Sequence, residues 1–124
     1  YYIQYAHARA CSVMRKLQEQ GWTWDADSAL ANLDQLTQDH EKDLLRRLDS
    51  YPETVATAAG SNEPHLVATY LRELSGEFHT WYNAHKMLVD DAPRRNARVA
   101  LSEAVRQVVA NGLDLLGVSA PEAM

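Results

Sequence analysis

Tyr2, Tyr5, Arg9 and Lys16 are the residues whose types and spacing first point to chemistry. Separated by intervals of three, four and seven, they form one stripe of an α-helix that turns about 100° per residue. Tyrosine faces of this kind stack a nucleic-acid base that has left its own stack, and a neighbouring guanidinium stacks on the base, pairs with a phosphate or hydrogen-bonds a base edge. The same pattern also describes a tyrosine-lined helix packed against a neighbour, with a solvated arginine at its margin.

A second stripe carries Arg95, Arg98, Ser102 and Arg106, with Arg94 alongside and Glu103 as the only acid between Arg94 and Arg106. In a chain of formal charge -5 this is a concentrated positive patch, suited to a few phosphates or to a solvated, ion-paired helix face. The segment from Glu77 to His85 contains Phe78, His79, Trp81 and Tyr82. His79 and His85 are six residues apart, about 120° around a helix, and no Glu-x-x-His accompanies them, so no metal ligands are assigned. Of the two adjacent aromatics, Tyr82 suits a wet boundary better than Trp81. The sequence has no glycine-rich phosphate loop, no nucleophile elbow and no cysteine and histidine pairing supported by spacing. It predicts a binding protein with no catalytic residues.

Helices must position these residues. Ile3, Ala6, Ala10, Val13 and Leu17 follow helical spacing, and Gly21 stops a first helix covering about Tyr2 to Gln20. Trp22 to Leu36 is expected as a loop with at most a short helical turn. A second helix over about Gln38 to Ser50 carries Leu44, Leu45 and Leu48. Pro52, Pro64 and Pro93 each open a helix, since a first turn does not need the missing N–H. These run from about Pro52 to Ala59, ending at Gly60-Ser61-Asn62, from Pro64 to Val89, and from Pro93 to Leu116, where Gly117 closes the last. Asp90-Asp91 is expected to cap that last helix, and Asn111-Gly112 to allow a close helix approach. The expected fold is all-α, a bundle of four principal helices plus short ones, in one domain over residues 1–124.

At 124 residues with 46% hydrophobic composition, such a chain buries enough surface to need neither disulfides nor a structural metal. Cys11 alone excludes an internal disulfide framework and any zinc site built on two cysteines. No apolar run is long enough to span a bilayer and no signal peptide is apparent, so a cytoplasmic protein without a membrane partner is expected. The start at Tyr1 rather than Met fits a piece of a longer polypeptide.

More specific than any stripe is the order of several motifs. Tyr2-Ile3-Gln4-Tyr5-Ala6-His7-Ala8-Arg9-Ala10-Cys11-Ser12 resembles the opening of the C-terminal domain of arginyl-tRNA synthetases. Leu44-Leu45-Arg46-Arg47-Leu48, Tyr51-Pro52-Glu53, Glu63-Pro64-His65, Phe78-His79 and Tyr82-Asn83 follow in the family's order. Arg98-Val99-Ala100-Leu101, Val105 to Leu113, and Leu115 to Met124 are similar to its terminus. The resemblance covers essentially the whole chain. It implies an all-helical DALR-type anticodon-binding domain, although the motif region Asp91 to Leu101 lacks the name-giving leucine.

It further implies anticodon contacts at Tyr2, Arg9, Tyr82 and Met124, with Tyr5, Arg98 and Arg106 in support. The family commonly has Arg before the final Met, where this chain has Ala123. The implied partners are the anticodon loop of an arginine tRNA and an N-terminal class I catalytic domain. That domain would use ATP and Mg2+, and this fragment would hold no cofactor. A monomer is expected, with self-association open to a fragment whose domain boundary is exposed. Two other readings stay open, a helical protein-interaction module presenting the Tyr2/Tyr5 stripe and the anticodon domain of a related class I synthetase.

Overall fold

A computed structural model describes residues 1–124. Six α-helices follow in order: α1 (Tyr2–Glu19), α2 (Ala26–Ala31), α3 (Asp39–Asp49), α4 (Tyr51–Ser61), α5 (His65–Ala84) and α6 (Ala92–Leu115). A single 3-10 turn at Leu33–Gln35 links α2 to α3, and there is no strand. The all-α expectation holds. Ala6, Ala10, Val13 and Leu17 bury the predicted face of α1, and α6 is the common wall against which α1, α2, α3 and α5 pack. One continuous apolar cluster joins these elements, with Leu44, Leu71, Leu74, Phe78, Trp81, Val99, Val105 and Val109 fully enclosed. No helix is long and apolar enough to cross a membrane.

Several boundaries differ from the sequence reading. The loop after α1 holds α2, which Asp25 caps by accepting from the Ser28 N–H at 3.0 Å. Trp22 and Trp24 pack against the core, and Trp24 Nε1 donates to the Asn96 carbonyl at 3.2 Å. The Trp22 ring lies under the Arg95 guanidinium at 4.0 Å. α4 runs past Gly60, and Asn62 turns the chain with φ 55°. Asp91 takes the N-cap position of α6 without a side-chain capping bond. At Gly112 an added Cβ would come within 2.7 Å of the Leu71 side chain, so glycine permits the close approach of α5 and α6.

The largest difference lies at the end of α5, which stops at Ala84 rather than Val89. At about 100° per residue, a continued helix would carry Met87 to the side opposite Phe78. Instead the chain turns extended at His85, and Met87 and Leu88 both become buried. Backbone carbonyls of the segment that follows α5 are taken up by α6. Arg98 Nη1 donates to the Lys86 carbonyl at 2.7 Å, and Arg95 Nη1 donates to the carbonyls of Val89 and Asp90, each at 3.1 Å.

Arg98 also defines a buried polar cluster. Its Nε donates to Glu41 Oε2 at 2.9 Å, and Trp81 Nε1 donates to the same oxygen at 3.1 Å. The second oxygen of Glu41 accepts from the Gln38 backbone N–H at 3.1 Å. Glu41 is 0% exposed. Such a charge is tolerable inside a protein only when paired and hydrogen-bonded, as here.

Candidate functional site

The exposed flank of α1 meets the last turns of α5 along Tyr2, Tyr5, Arg9 and Lys16. The Arg9 guanidinium lies 4.2 Å from the centre of the Tyr82 ring and 5.4 Å from that of Tyr5. Its Nη1 donates to His79 Nδ1 at 3.0 Å. Two turns further along α1, Lys16 Nζ donates to the Tyr82 phenol oxygen at 3.1 Å. Tyr82 therefore has one cation over its face, a contact worth about 0.5–1 kcal/mol at exposed positions, and another hydrogen-bonded to its hydroxyl.

These neighbours set the proton affinities. Burial would raise the Tyr82 phenol, but the hydrogen bond and charge of Lys16, with Ser12 and Arg9 behind them, prevail and hold it below its ordinary value. Burial first, and then the Arg9 charge, push His79 down, which keeps the imidazole neutral near neutral pH.

The C-terminal segment closes the arrangement. Gly117 adopts φ 71°, and the Val118 N–H donates to the Leu113 carbonyl at 2.9 Å, ending α6. The chain then returns along α1. Gln4 Nε2 donates to the Ser119 carbonyl at 2.9 Å, His7 Nδ1 to the Pro121 carbonyl at 2.7 Å, and Arg15 Nη1 to the Glu122 carbonyl at 2.9 Å. Met124 is thereby brought to a cavity of about 260 Å³ that Tyr5, Arg9, Arg15, Lys16 and Tyr82 also line. Three cationic side chains and no acidic one border it, in a chain that is acidic overall. It suits a planar, electron-rich or anionic group.

Of the residues singled out from the sequence, Tyr5, Arg9, Lys16, Tyr82 and Met124 come together at this cavity. Tyr2 sits one helical turn away, its ring 5.2 Å from that of His79, and lines an adjoining cavity with His40, Arg47 and Glu77. Arg98 does not join them. Its side chain is 7% exposed and turned inward onto Glu41 and the Lys86 carbonyl, so the expected phosphate contact has no accessible guanidinium to make it. Arg106 pairs with Glu103 at 3.1 Å and faces a separate cavity behind the C-terminal segment, shared with His7, Cys11 and Glu122.

Sequence reasoning weighed His79 only as a metal ligand and overlooked Gln4, His7 and Arg15. His79 lies three residues before Tyr82 on α5, and that spacing alone places the two on one face. The other three hold backbone carbonyls more than a hundred positions away, which no local pattern encodes.

An exposed tyrosine and cation cavity, mounted on a helical bundle and closed by a pinned terminal segment, defines a helical binding module. The chain belongs to the DALR anticodon binding domain family, whose profile matches residues 3–124. It is 54% identical over its full length to an arginine–tRNA ligase of Thioalkalivibrio sulfidiphilus and 55% identical to one of Legionella pneumophila, covering 21% of each. Among solved structures it resembles the Thermus thermophilus arginyl-tRNA synthetase with a TM-score of 0.84 and 34% identity, covering 99% of this chain and 21% of that one. A putative arginyl-tRNA synthetase from Campylobacter jejuni matches with a TM-score of 0.83 and 27% identity, over 100% of this chain and 26% of that one. The chain thus spans about a fifth of the length of the curated relatives it matches.

Proposed function

We propose that this chain is the anticodon-recognition part of a cytoplasmic arginine–tRNA ligase. Joining arginine to tRNA with ATP and Mg2+ falls to a catalytic domain beyond these residues. Anticodon-loop bases leave their stack and are received on Tyr2, Tyr82 and Met124, with Arg9 supplying charge and direction. Arg15 and Lys16, rather than Arg98, hold the backbone phosphates that border the cavity. Met124 fits this role because a flexible, polarizable thioether packs against an aromatic face without demanding one geometry.

The observation that carries the reading is the Arg9 guanidinium held between Tyr5 and Tyr82 at a cavity lined by cations and closed by Met124. Splayed bases are recognised by this combination of aromatic faces and guanidinium planes. The test is binding of the chain to an RNA hairpin bearing an arginine anticodon, against the same hairpin with the central anticodon base changed, at two salt concentrations. Preference for the cognate loop with affinity falling as salt rises is the expected result. Equal affinity for both loops in a folded protein would contradict anticodon recognition by these residues.

A further inference from the structure

We propose that His79 is a positioning residue for this surface, a neutral acceptor that fixes the Arg9 guanidinium between Tyr5 and Tyr82 without cancelling its charge. The inference rests on the RNA-binding reading and adds how its central cation is held. His79 lies on α5 facing α1, its ring centre 5.2 Å from that of Tyr2 and 5.4 Å from that of Tyr5, and stacked on the latter. Its Nδ1 is 3.0 Å from Arg9 Nη1. A guanidinium only donates, so Nδ1 is the acceptor and the imidazole proton sits on Nε2.

Two comparisons within the molecule point to function rather than stability. Arg47 is held by Glu73 and Glu77, and Arg98 by Glu41, so both guanidinium charges are matched by carboxylates. Arg9 takes part in no ion pair and is oriented by an uncharged ring; Arg95 also lacks a carboxylate partner but is buried on backbone carbonyls, whereas Arg9 borders the cavity. A carboxylate at position 79 would aim Arg9 equally well but neutralise it, weakening its pull on an anionic ligand. Nε2, meanwhile, is buried with no protein hydrogen-bond partner, a placement that weakens the fold. The imidazole therefore costs stability at one nitrogen while holding Arg9 at the other.

The test compares His79→Phe, which keeps a ring against Tyr2 and Tyr5 but removes the acceptor, with His79→Asp, which keeps an acceptor but adds a charge. Each is measured alone and with Arg9→Ala, for thermal stability and for hairpin affinity across salt. His79→Phe is expected to leave stability equal or higher and weaken binding about tenfold, the scale of one hydrogen bond to a charged group. In the Arg9→Ala background it should have no further effect on affinity. His79→Asp should weaken binding with a flatter salt dependence. In the unsubstituted protein, long-range 15N–1H spectra should show Nε2 protonated and Nδ1 bare. Binding unaffected by His79→Phe where Arg9→Ala weakens it would overturn the positioning role alone, as would an equal loss in both backgrounds, a fall in stability or the opposite tautomer. No effect of Arg9→Ala would instead overturn the RNA-binding reading beneath it.

Discussion

Two arginine-bearing regions, the first half of α6 and the exposed flank of α1, use the same side chain in opposite ways. On α6, Arg95 and Arg98 turn inward and spend their donors on the carbonyls of Lys86, Val89 and Asp90, with Glu41 balancing the charge of Arg98. On α1, Arg9 lies between two tyrosines with a neutral histidine as its acceptor, and Arg15 and Lys16 border the same cavity. The difference is set by what faces each helix. The irregular segment between α5 and α6 presents backbone carbonyls that need donors, whereas α1 is faced by aromatic rings and a carbonyl-bearing terminal segment that leave Arg9 its charge. A run of positive residues in a sequence therefore does not locate an anion site. The supply of acceptors inside the fold decides.

The strongest way to break this comparison is Arg98→Met. It strands the buried Glu41 carboxylate, and a lost partner in a buried pair costs about 3–5 kcal/mol. Denaturant unfolding should show that loss, while RNA affinity of the folded fraction stays unchanged; a loss under about 1 kcal/mol would mean Glu41 is not dependent on Arg98. Gly112→Ala should cost about 1–3 kcal/mol by overpacking against Leu71, again without touching RNA affinity. Tyr82→Ala should do the reverse, leaving the fold in place while weakening hairpin binding by roughly 5- to 150-fold, the value of about 1–3 kcal/mol for one stacked base.

Smaller effects sharpen the α1 side. Arg9→Ala should lower the slope of log affinity against log salt by about one, as for a single phosphate contact, with a loss of about 1 kcal/mol in unfolding free energy from the Tyr82 and His79 contacts it removes. His79 supplies a pH signature whose sign is fixed. Its folded pKa lies below the ordinary value of 6.5 because of burial and Arg9. Below about pH 6.5 the unfolded chain takes up a proton that the folded chain resists, so its contribution is full above that pH and shrinks as acidity increases. Melting temperature measured from about pH 8 down to pH 5 should therefore fall less steeply in His79→Phe than in the unsubstituted protein.

Helical spacing exposed most of the fold because apolar residues at intervals of three and four need only local geometry to share a face. Ala6, Ala10, Val13 and Leu17 on α1, and Leu71, Leu74, Phe78 and Trp81 on α5, are buried on that account. What the spacing did not reveal depends on distant partners. Glu41 reads as one more polar residue of α3 until Arg98 and Trp81 are placed against it, and the segment after α5 is held by Arg95 and Arg98 on the following helix. At the candidate site, Tyr2, Tyr5, Arg9 and Tyr82 were legible as stripe and boundary residues. Met124 came only from the family resemblance, since the bonds that place its segment begin on α1 at Gln4, His7 and Arg15.

The most direct test of the contrast between the two arginine regions is an NMR titration of the chain with the cognate anticodon hairpin, following backbone, tyrosine, methionine methyl and arginine side-chain signals together. The predicted result is a contiguous set of perturbations at Tyr2, Tyr5, Arg9, Lys16, Tyr82 and Met124, with the Arg98 side chain unmoved. Perturbations centred on α6 around Arg94 and Arg106, with the α1 flank silent, would contradict it.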